Sequence, residues 1–164
     1  MEWMLMPYRR YAEFSGRSRR NEYWMFMLLV VIIEAVLLGL MFGAGFSAFA
    51  ALGGATAVDR TAGLSGIGPL LWIVGIVLVV WGLATIIPSI ALAVRRLHDR
   101  NMSGWYLVGL FVAVLILSRL GSIGSLLTFV VEIGWLVLMA LPGTQGPNKY
   151  GPDPLGRSDA EVFA

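Results

Sequence analysis

Cysteine is absent from this chain of 164 residues, and histidine occurs only once. These absences exclude disulfide frameworks, thiolate chemistry and zinc sites built from cysteine and histidine. Charged side chains are also scarce, at 13%, whereas 58% of the residues are hydrophobic. A water-soluble core could not hold that much apolar sequence, so the composition predicts an integral membrane protein, and it indicates no cofactor.

Four apolar stretches, residues 24–42, 69–94, 105–123 and 125–141, approach the length that crosses a bilayer, about 20 residues. The third reaches this length only if it continues past Ser118 and Arg119, and Pro88 predicts a bend in the second. We therefore predict an all-α membrane protein. Its architecture would be a bundle of four transmembrane helices formed by a single domain, residues 1–164.

Three polar segments complete the predicted architecture. Residues 1–23 form a short arginine-rich segment, and residues 142–164 open with Pro142 and Gly143 and predict a tail of successive turns. Residues 43–68 are rich in glycine, alanine and serine, so we expect a flexible loop or a short interfacial helix there. We expect the first apolar stretch to be a retained helix rather than a cleaved signal peptide, because 23 polar residues precede it.

The distribution of basic residues predicts the orientation in the membrane. Only Arg60 and Arg119 fall on one side of the predicted spans. The other side carries Arg9, Arg10, Arg17, Arg19, Arg20, Arg95, Arg96, Arg100, Lys149 and Arg157. Since basic residues in short loops are retained inside, both termini and the 95–104 loop are predicted to be cytoplasmic. The basic charge flanks the apolar stretches, which favours anionic lipid head groups as partners over nucleic acid.

The first basic block is a candidate functional segment. Arg17, Arg19, Arg20 and Glu22 immediately precede an aromatic pair, Tyr23 and Trp24. Such a block is typical of a membrane anchor, in which arginines contact anionic head groups and aromatic rings occupy the interface. The alternative is a binding patch for an anionic ligand or a protein partner.

The second block, residues 95–105, interleaves a histidine and an aspartate with three arginines. His98 could titrate near neutrality, and Asp99 should stay ionised beside Arg95, Arg96 and Arg100. Neighbouring residues on a helix point apart, no nucleophile is present, and metal ligation would need carboxylates from elsewhere. We therefore predict structural ion pairing, with neither catalytic residues nor a metal site. Trp105 closes the block.

Two carboxylates, Glu34 and Glu132, fall inside apolar stretches at similar predicted depths. A charge at this depth is costly, so the neutral acid should be favoured. Two alternatives remain open: protonated acids that form hydrogen bonds between helices, or a relay for protons or cations. A strip of small residues, Ala35, Gly39 and Gly43, would also permit a homodimer or a contact with a partner membrane protein.

Three separated blocks resemble a known family, the small bacterial inner-membrane proteins of domain-of-unknown-function family 805, which are YhaH-like. The matching residues are Phe14, Gly16, Arg17, Arg19, Arg20, Glu22, Tyr23 and Trp24; Arg95 to Asp99 with Ser103, Gly104 and Trp105; and Gly143, Gly146, Asn148, Tyr150, Gly151, Pro152, Asp153 and Pro154. The resemblance implies a location in the bacterial inner membrane. The family has no established activity, so the resemblance implies no catalytic residues.

The predicted topology brings all three blocks to the cytoplasmic face, which is therefore the predicted working surface. We expect residues 148–154 to fold back and bring Asp153 against the arginines. Three functions are compatible with the sequence. In order, they are a non-enzymatic scaffold or regulatory module, a small proton-linked transporter or channel that uses Glu34 and Glu132, and a membrane enzyme.

Overall fold

The computed structural model describes residues 2–54 and 57–156 as five α-helices joined by turns. The helices are α1 (Glu2–Arg9), α2 (Arg20–Gly54), α3 (Ala57–Asp99), α4 (Trp105–Leu117) and α5 (Gly121–Ala140). Within these residues no strand is found, and the only extended pairing is an isolated bridge between Asn148 and Gly151. The all-α prediction is therefore confirmed. The last part of the predicted tail, residues 157–164 with Arg157, lies outside the described residues.

In the described part of the chain, three helices are long and apolar enough to cross a membrane. The apolar parts are Arg20–Ser47, Gly68–Asp99 and Gly121–Ala140, with 28, 32 and 20 residues. The fourth apolar helix, α4, has only 13 residues. Length and composition thus support three spans and one shorter apolar helix, which is a coarser result than the predicted four.

Two helix boundaries differ from the prediction. Residues 43–54 and 57–68 are helical, where a flexible loop or a short interfacial helix was expected, because alanine favours helix and outweighs the scattered glycines. The helix predicted to continue to residue 123 ends at Leu117, and the turn that follows leads into Gly121, the first residue of α5, whose φ of +61° lies outside the right-handed helical range. Residues 121–123 therefore belong to α5. By contrast, α3 continues through Pro88, whose side chain is buried.

The chain divides into two compact units. Unit 1 comprises residues 1–26 and 87–164, and unit 2 comprises residues 27–86. The buried side chains of unit 1 gather near the start of α2 and the end of α3: Tyr23, Phe26, Ala91, Leu92, Ala93 and Leu97, with Met139 of α5. The ring of Tyr8 on α1 packs edge-on against Phe26, with the ring centroids 5.3 Å apart. This packing holds α1 against α2.

Unit 2 consists of the later part of α2 and the earlier part of α3. Val30, Val74 and Thr85 are buried, but most of its large apolar side chains are exposed. Exposed apolar side chains are expected on helices that face lipid. A Cβ added at Gly39 or Gly43 would meet no neighbouring atom within 4 Å among the described residues, so the described chain does not require glycine at these two positions for close packing.

Candidate functional site

Three stretches of unit 1 form a polar cluster, which we call the polar cap: residues 10–22, 95–104 and 139–155. The first stretch connects α1 to α2, the second contains the end of α3, and the third leads from α5 into the tail. Arg95 and Arg96 are successive residues of α3, so their side chains leave the helix about 100° apart. Each therefore reaches a different one of the other two stretches.

Arg95 joins α3 to the first stretch. Its guanidinium is fully buried and donates hydrogen bonds to the hydroxyl oxygen of Ser18 at 2.9 Å and to the backbone carbonyl of Glu13 at 2.6 Å. It also pairs with the buried carboxylate of Glu22 at 3.2 Å. The backbone adds a further bond, from the amide of Ser18 to the carbonyl of Arg95. One side chain thus satisfies acceptors on both sides of the turn that precedes α2.

Arg96 joins α3 to the end of α5. It is also fully buried, and it donates to the backbone carbonyls of Met139, at 3.1 Å, and Leu141. These carbonyls belong to the last turn of a helix, where no intrahelical donor is available. The same guanidinium pairs with Asp99, one turn further along α3. Arg96 therefore caps α5 and fixes Asp99 at the same time.

Asp99 is shared between two guanidinium groups. Its Oδ2 pairs with Arg96, and its Oδ1 accepts from Arg17 Nε at 3.0 Å. Arg17 is buried as well and donates to the carbonyls of Thr144 at 2.6 Å and Gly146 at 2.7 Å. Asp99 thereby links the N-terminal stretch, α3 and the tail through one carboxylate.

The tail approaches Asp99 so closely that only glycine fits at residue 143. A Cβ added at Gly143 would overlap the Asp99 carboxylate. The next residue, Thr144, donates both its amide, at 2.9 Å, and its hydroxyl, at 3.1 Å, to the backbone carbonyl of Asp99. The tail is thus bonded to the last turn of α3 by backbone as well as side-chain groups.

His98 is held by structural contacts. Its Nδ1 donates to the carbonyl of Gly16 at 3.2 Å, and its ring stacks on Tyr150 with centroids 3.8 Å apart and planes within 5°. Asn148 fixes the tail beneath it by donating to the backbone carbonyl of His98 at 3.0 Å and accepting from the amide of Tyr150 at 2.9 Å. The histidine contributes a flat surface on which the tail packs.

Asp153 organises the turn that closes the tail. Its carboxylate is buried and accepts from the amides of Gly146 at 3.2 Å and Leu155 at 2.9 Å. The structure thus folds residues 148–154 back onto the cap, as the unlike charges led us to expect. The carboxylate that bridges arginines in the cap is Asp99, on α3.

Three further arginines lie nearer the surface. Arg20 and Arg100 are bonded to the carbonyls of Ala140 at 3.4 Å and Pro142 at 3.1 Å. Arg19 donates to the carbonyl of Pro154 and lies over the ring of Trp3, 5.4 Å from its centroid. These contacts involve neutral groups, so the charges of these arginines are not matched by carboxylates within 4 Å among the described residues.

The cap therefore carries an excess of positive charge. Its three stretches contain eight basic side chains and four carboxylates, with His98 counted as neutral. One pair lies at the edge, where Arg10 bonds Glu13 at 2.7 Å, and this contact lowers the pKa of Glu13 and raises that of Arg10. The inner carboxylates, Glu22 and Asp99, are both bonded to guanidinium groups, so the arrangement is suited to fixing positions rather than to transferring protons.

The remaining predicted site residues lie apart from the cap network. Trp105 begins α4 with 77% of its surface exposed. Glu34 is exposed on α2 in unit 2, and Glu132 is exposed on α5 in unit 1. Glu132 also lines an apolar cavity of about 730 Å³ between α4 and α5, together with Leu107 and Trp135. In the described part of the chain, no group of three or more His, Cys, Asp or Glu could hold a metal ion.

Thr144 is the functional residue that sequence reasoning missed. Nothing in its type distinguishes it from the neighbouring tail residues, because its role depends on meeting a backbone carbonyl. The carbonyls of Met139 and Leu141 were missed for the same reason. The only available signal was the abrupt end of the apolar run at Pro142, which leaves the last carbonyls of a helix in need of donors.

The chain is similar to several bacterial proteins. Residues 11–152 match the family described as Protein of unknown function (DUF805). Two Escherichia coli K12 proteins, Inner membrane protein YhaI and Inner membrane protein YhaH, are 33% and 32% identical to it over 157 residues. These alignments cover 94% of this chain and 96% and 97% of the relatives. Uncharacterized protein YiiR is 29% identical over 150 residues, or 85% of this chain and 84% of the relative. No solved structure matches the chain significantly.

Proposed function

We propose that this chain, which belongs to the DUF805 family of proteins of unknown function, is a multi-pass inner-membrane protein whose cytoplasmic polar cap scaffolds or regulates partners without catalysing a reaction. Membership of the family confirms the resemblance carried by the three sequence blocks. Relatives that are named inner membrane proteins and the three apolar helices of spanning length support the location.

The cap also supports a topology in which both termini lie on one side. It contains the start of α2, the end of α3 and the end of α5, bonded to one another through Arg95, Arg96 and Arg17. A chain that leaves the cap in α2 and returns to it in α3 crosses the membrane an even number of times. The same holds for α4 and α5, because the chain leaves the cap in α4 and returns to it at the end of α5. We therefore propose four crossings, with α4 and its following turn as the shortest, and the excess of arginine supports a cap on the cytoplasmic side.

The observation that carries the non-enzymatic role is the complete commitment of the cap's inner groups to structure. His98 stacks on Tyr150, and Asp99 is bonded to two arginines, so both side chains make structural contacts. The network ties the tail and the N-terminal stretch to the end of α3 and leaves Arg19, Arg20 and Arg100 without a carboxylate within 4 Å among the described residues. Such a surface suits the binding of an acidic partner better than proton transfer.

The topology can be tested cleanly because the chain has no cysteine of its own. Single substitutions Ser15→Cys and Gln145→Cys place a thiol at exposed cap positions, and Ser118→Cys places one in the α4 to α5 turn. We expect an impermeant maleimide added to intact spheroplasts to label only the Ser118→Cys variant, and lysis to make the other two reactive. Labelling of Gln145→Cys before lysis would contradict the proposed arrangement.

The scaffold role is tested by crosslinking and affinity capture from membranes in mild detergent. We expect the wild-type chain to retain partners that are lost by Arg17→Gln, because this change removes the bonds that tie the N-terminal stretch to Asp99 and to the tail. The matched control is Arg119→Gln, which removes one charge from the α4 to α5 turn and should leave capture unchanged. Identical capture by wild type and Arg17→Gln, with both proteins folded, would count against a cap-dependent scaffold.

A proton-linked transporter is the second candidate, and one observation favours it: Glu132 lines the cavity between α4 and α5. An ionisable group beside a cavity at membrane depth is a reasonable relay position. Reconstituted protein should then give a proton flux that Glu132→Gln removes and Glu13→Gln does not. Wild-type vesicles with no flux above empty vesicles would exclude this role for Glu132.

A further inference from the structure

A small polar cavity of about 140 Å³ opens at the edge of the polar cap. Its walls come from α1, from the first residues of α2 and from the tail, and they include Trp3, Arg19, Arg20, Asn21 and Pro154. All of these residues belong to unit 1. The cavity is larger than a single water molecule needs, so it has room for a tetrahedral phosphate group.

Two guanidinium groups at this cavity form no ion pair with a carboxylate among the described residues. Arg17, Arg95 and Arg96 are each bonded to a buried carboxylate, but Arg19 and Arg20 have none within 4 Å in the described part of the chain. Each of the two makes one bond to a backbone carbonyl, and a guanidinium has five N–H donors. Donors therefore remain for a ligand that fits beside both side chains.

The one carboxylate in the cavity wall does not cancel this charge. Asp99 lies at the wall, but both of its oxygens are engaged, Oδ1 by Arg17 and Oδ2 by Arg96. Two guanidinium groups thus balance one carboxylate before Arg19 and Arg20 are considered. The wall therefore carries more guanidinium charge than carboxylate charge, and the ring of Trp3, which also lines the cavity, lies against Arg19 and restrains its guanidinium.

We propose that this cavity binds a phosphate group through Arg19 and Arg20. Guanidinium groups match the geometry of phosphate oxygens through paired N–H donors, so two adjacent arginines favour phosphate over a single carboxylate. Arg20 begins the apolar stretch Arg20–Ser47, which places the cavity at the level of lipid head groups if that stretch spans the membrane. The phosphate can belong to an anionic phospholipid or to a soluble phosphate ester.

This site goes beyond the scaffold role, and its test needs no protein partner. The purified full-length protein in neutral detergent at 150 mM salt is titrated with phosphatidylglycerol and, separately, with inorganic phosphate. Binding is followed by native mass spectrometry for the lipid and by thermal stabilisation for both ligands. The pocket variant is the double substitution Arg19→Gln and Arg20→Gln. Its matched control is Arg9→Gln with Arg100→Gln, which removes the same charge from the same side of the chain but not from the cavity wall.

We expect the pocket variant to bind at least about tenfold more weakly than wild type, because each arginine supplies charge-assisted hydrogen bonds. The control should lose less than about threefold, since charges outside the cavity are screened at about 8 Å. Arg20→Gln alone, which disturbs a single contact at 3.4 Å, should lose a measurable part of the affinity without affecting folding.

The two ligand arms identify the source of the phosphate. Saturable binding of phosphatidylglycerol alone assigns a lipid head group, and saturable binding of inorganic phosphate assigns a soluble ester as well. The proposal is overturned if neither ligand saturates, if Arg20→Gln and the folded pocket variant both bind as wild type does, or if the control loses as much as the pocket variant. None of these outcomes depends on partner capture, so the scaffold role and the phosphate site can fail separately.

Discussion

The polar cap and the middle of the apolar helices hold carboxylates in opposite ways. In the cap, Asp99 is 4% exposed and is bonded to two arginines, whereas Glu132, on α5, is exposed among apolar side chains. A buried carboxylate that neutralises buried guanidinium groups is needed for folding, because removing it leaves uncompensated charge. Glu132 forms no ion pair among the described residues, so changing it leaves no guanidinium unbalanced there. The comparison separates ionisable groups that hold the structure from those available for another role.

The largest effect should come from the same chemical change made in the two regions. Asp99→Asn removes the charge shared by Arg17 and Arg96, and we expect it to lower the free energy of unfolding by about 3–5 kcal/mol. Glu132→Gln should change it by no more than about 0.5 kcal/mol, because the side chain is exposed. Both values can be measured by equilibrium unfolding in mixed micelles with denaturing detergent. Equal losses of unfolding free energy in the two variants would show that the buried and the exposed carboxylate contribute equally to stability.

A smaller effect is expected from two glycine substitutions. Gly143→Ala would push a methyl group into the Asp99 carboxylate, and we expect a loss of about 1–3 kcal/mol. Gly134→Ala, in the middle of α5, meets no atom within 4 Å among the described residues, so it should be neutral or stabilising by up to about 1 kcal/mol. Thermal unfolding in the same detergent compares them. A stable Gly143→Ala variant would show that the tail can move away from Asp99.

The sequence predicted the apolar helices better than their ends. Runs of apolar residues identified α2, α3 and α5, because lipid requires a continuous apolar surface. The ends depend on single residues. The positive φ of Gly121 separates α4 from α5. Alanines favour helix in residues 43–54 and 57–68, where the glycines had indicated a loop or a short interfacial helix. Composition averages over a segment, so it could not locate these points.

The cap was predictable as a set of charges but not as a network. Counting basic residues brought Arg17, Arg95 and Arg96 to one face, and their chemistry indicated ion pairing. The hydrogen-bond partners of these arginines could not be predicted, because most of the acceptors are backbone carbonyls. Every residue has a backbone carbonyl, so the residue type does not indicate which one accepts. Charge indicated that the tail would bring Asp153 against the arginines, but it did not indicate Asp99 as a link, whose position on α3 one turn from Arg96 brings it between two guanidinium groups.

The smallest effect concerns the exposed edge of the cap, where Arg10 pairs with Glu13. The hydrogen bond from Arg10 holds the pKa of Glu13 below its ordinary value of 4.5. A lowered pKa in the folded state gives a stabilisation that is present above about pH 4.5 and is lost as the pH falls through the lowered value. Since the pair is exposed, we expect it to contribute less than about 1 kcal/mol.

The difference in unfolding free energy between wild type and Glu13→Gln should therefore shrink on acidification, and added salt should reduce it at neutral pH. Because the two proteins differ only at residue 13, the comparison isolates the contribution of Glu13. A difference that stays constant from about pH 6 to about pH 3 would mean that Glu13 stabilises the cap through packing rather than charge.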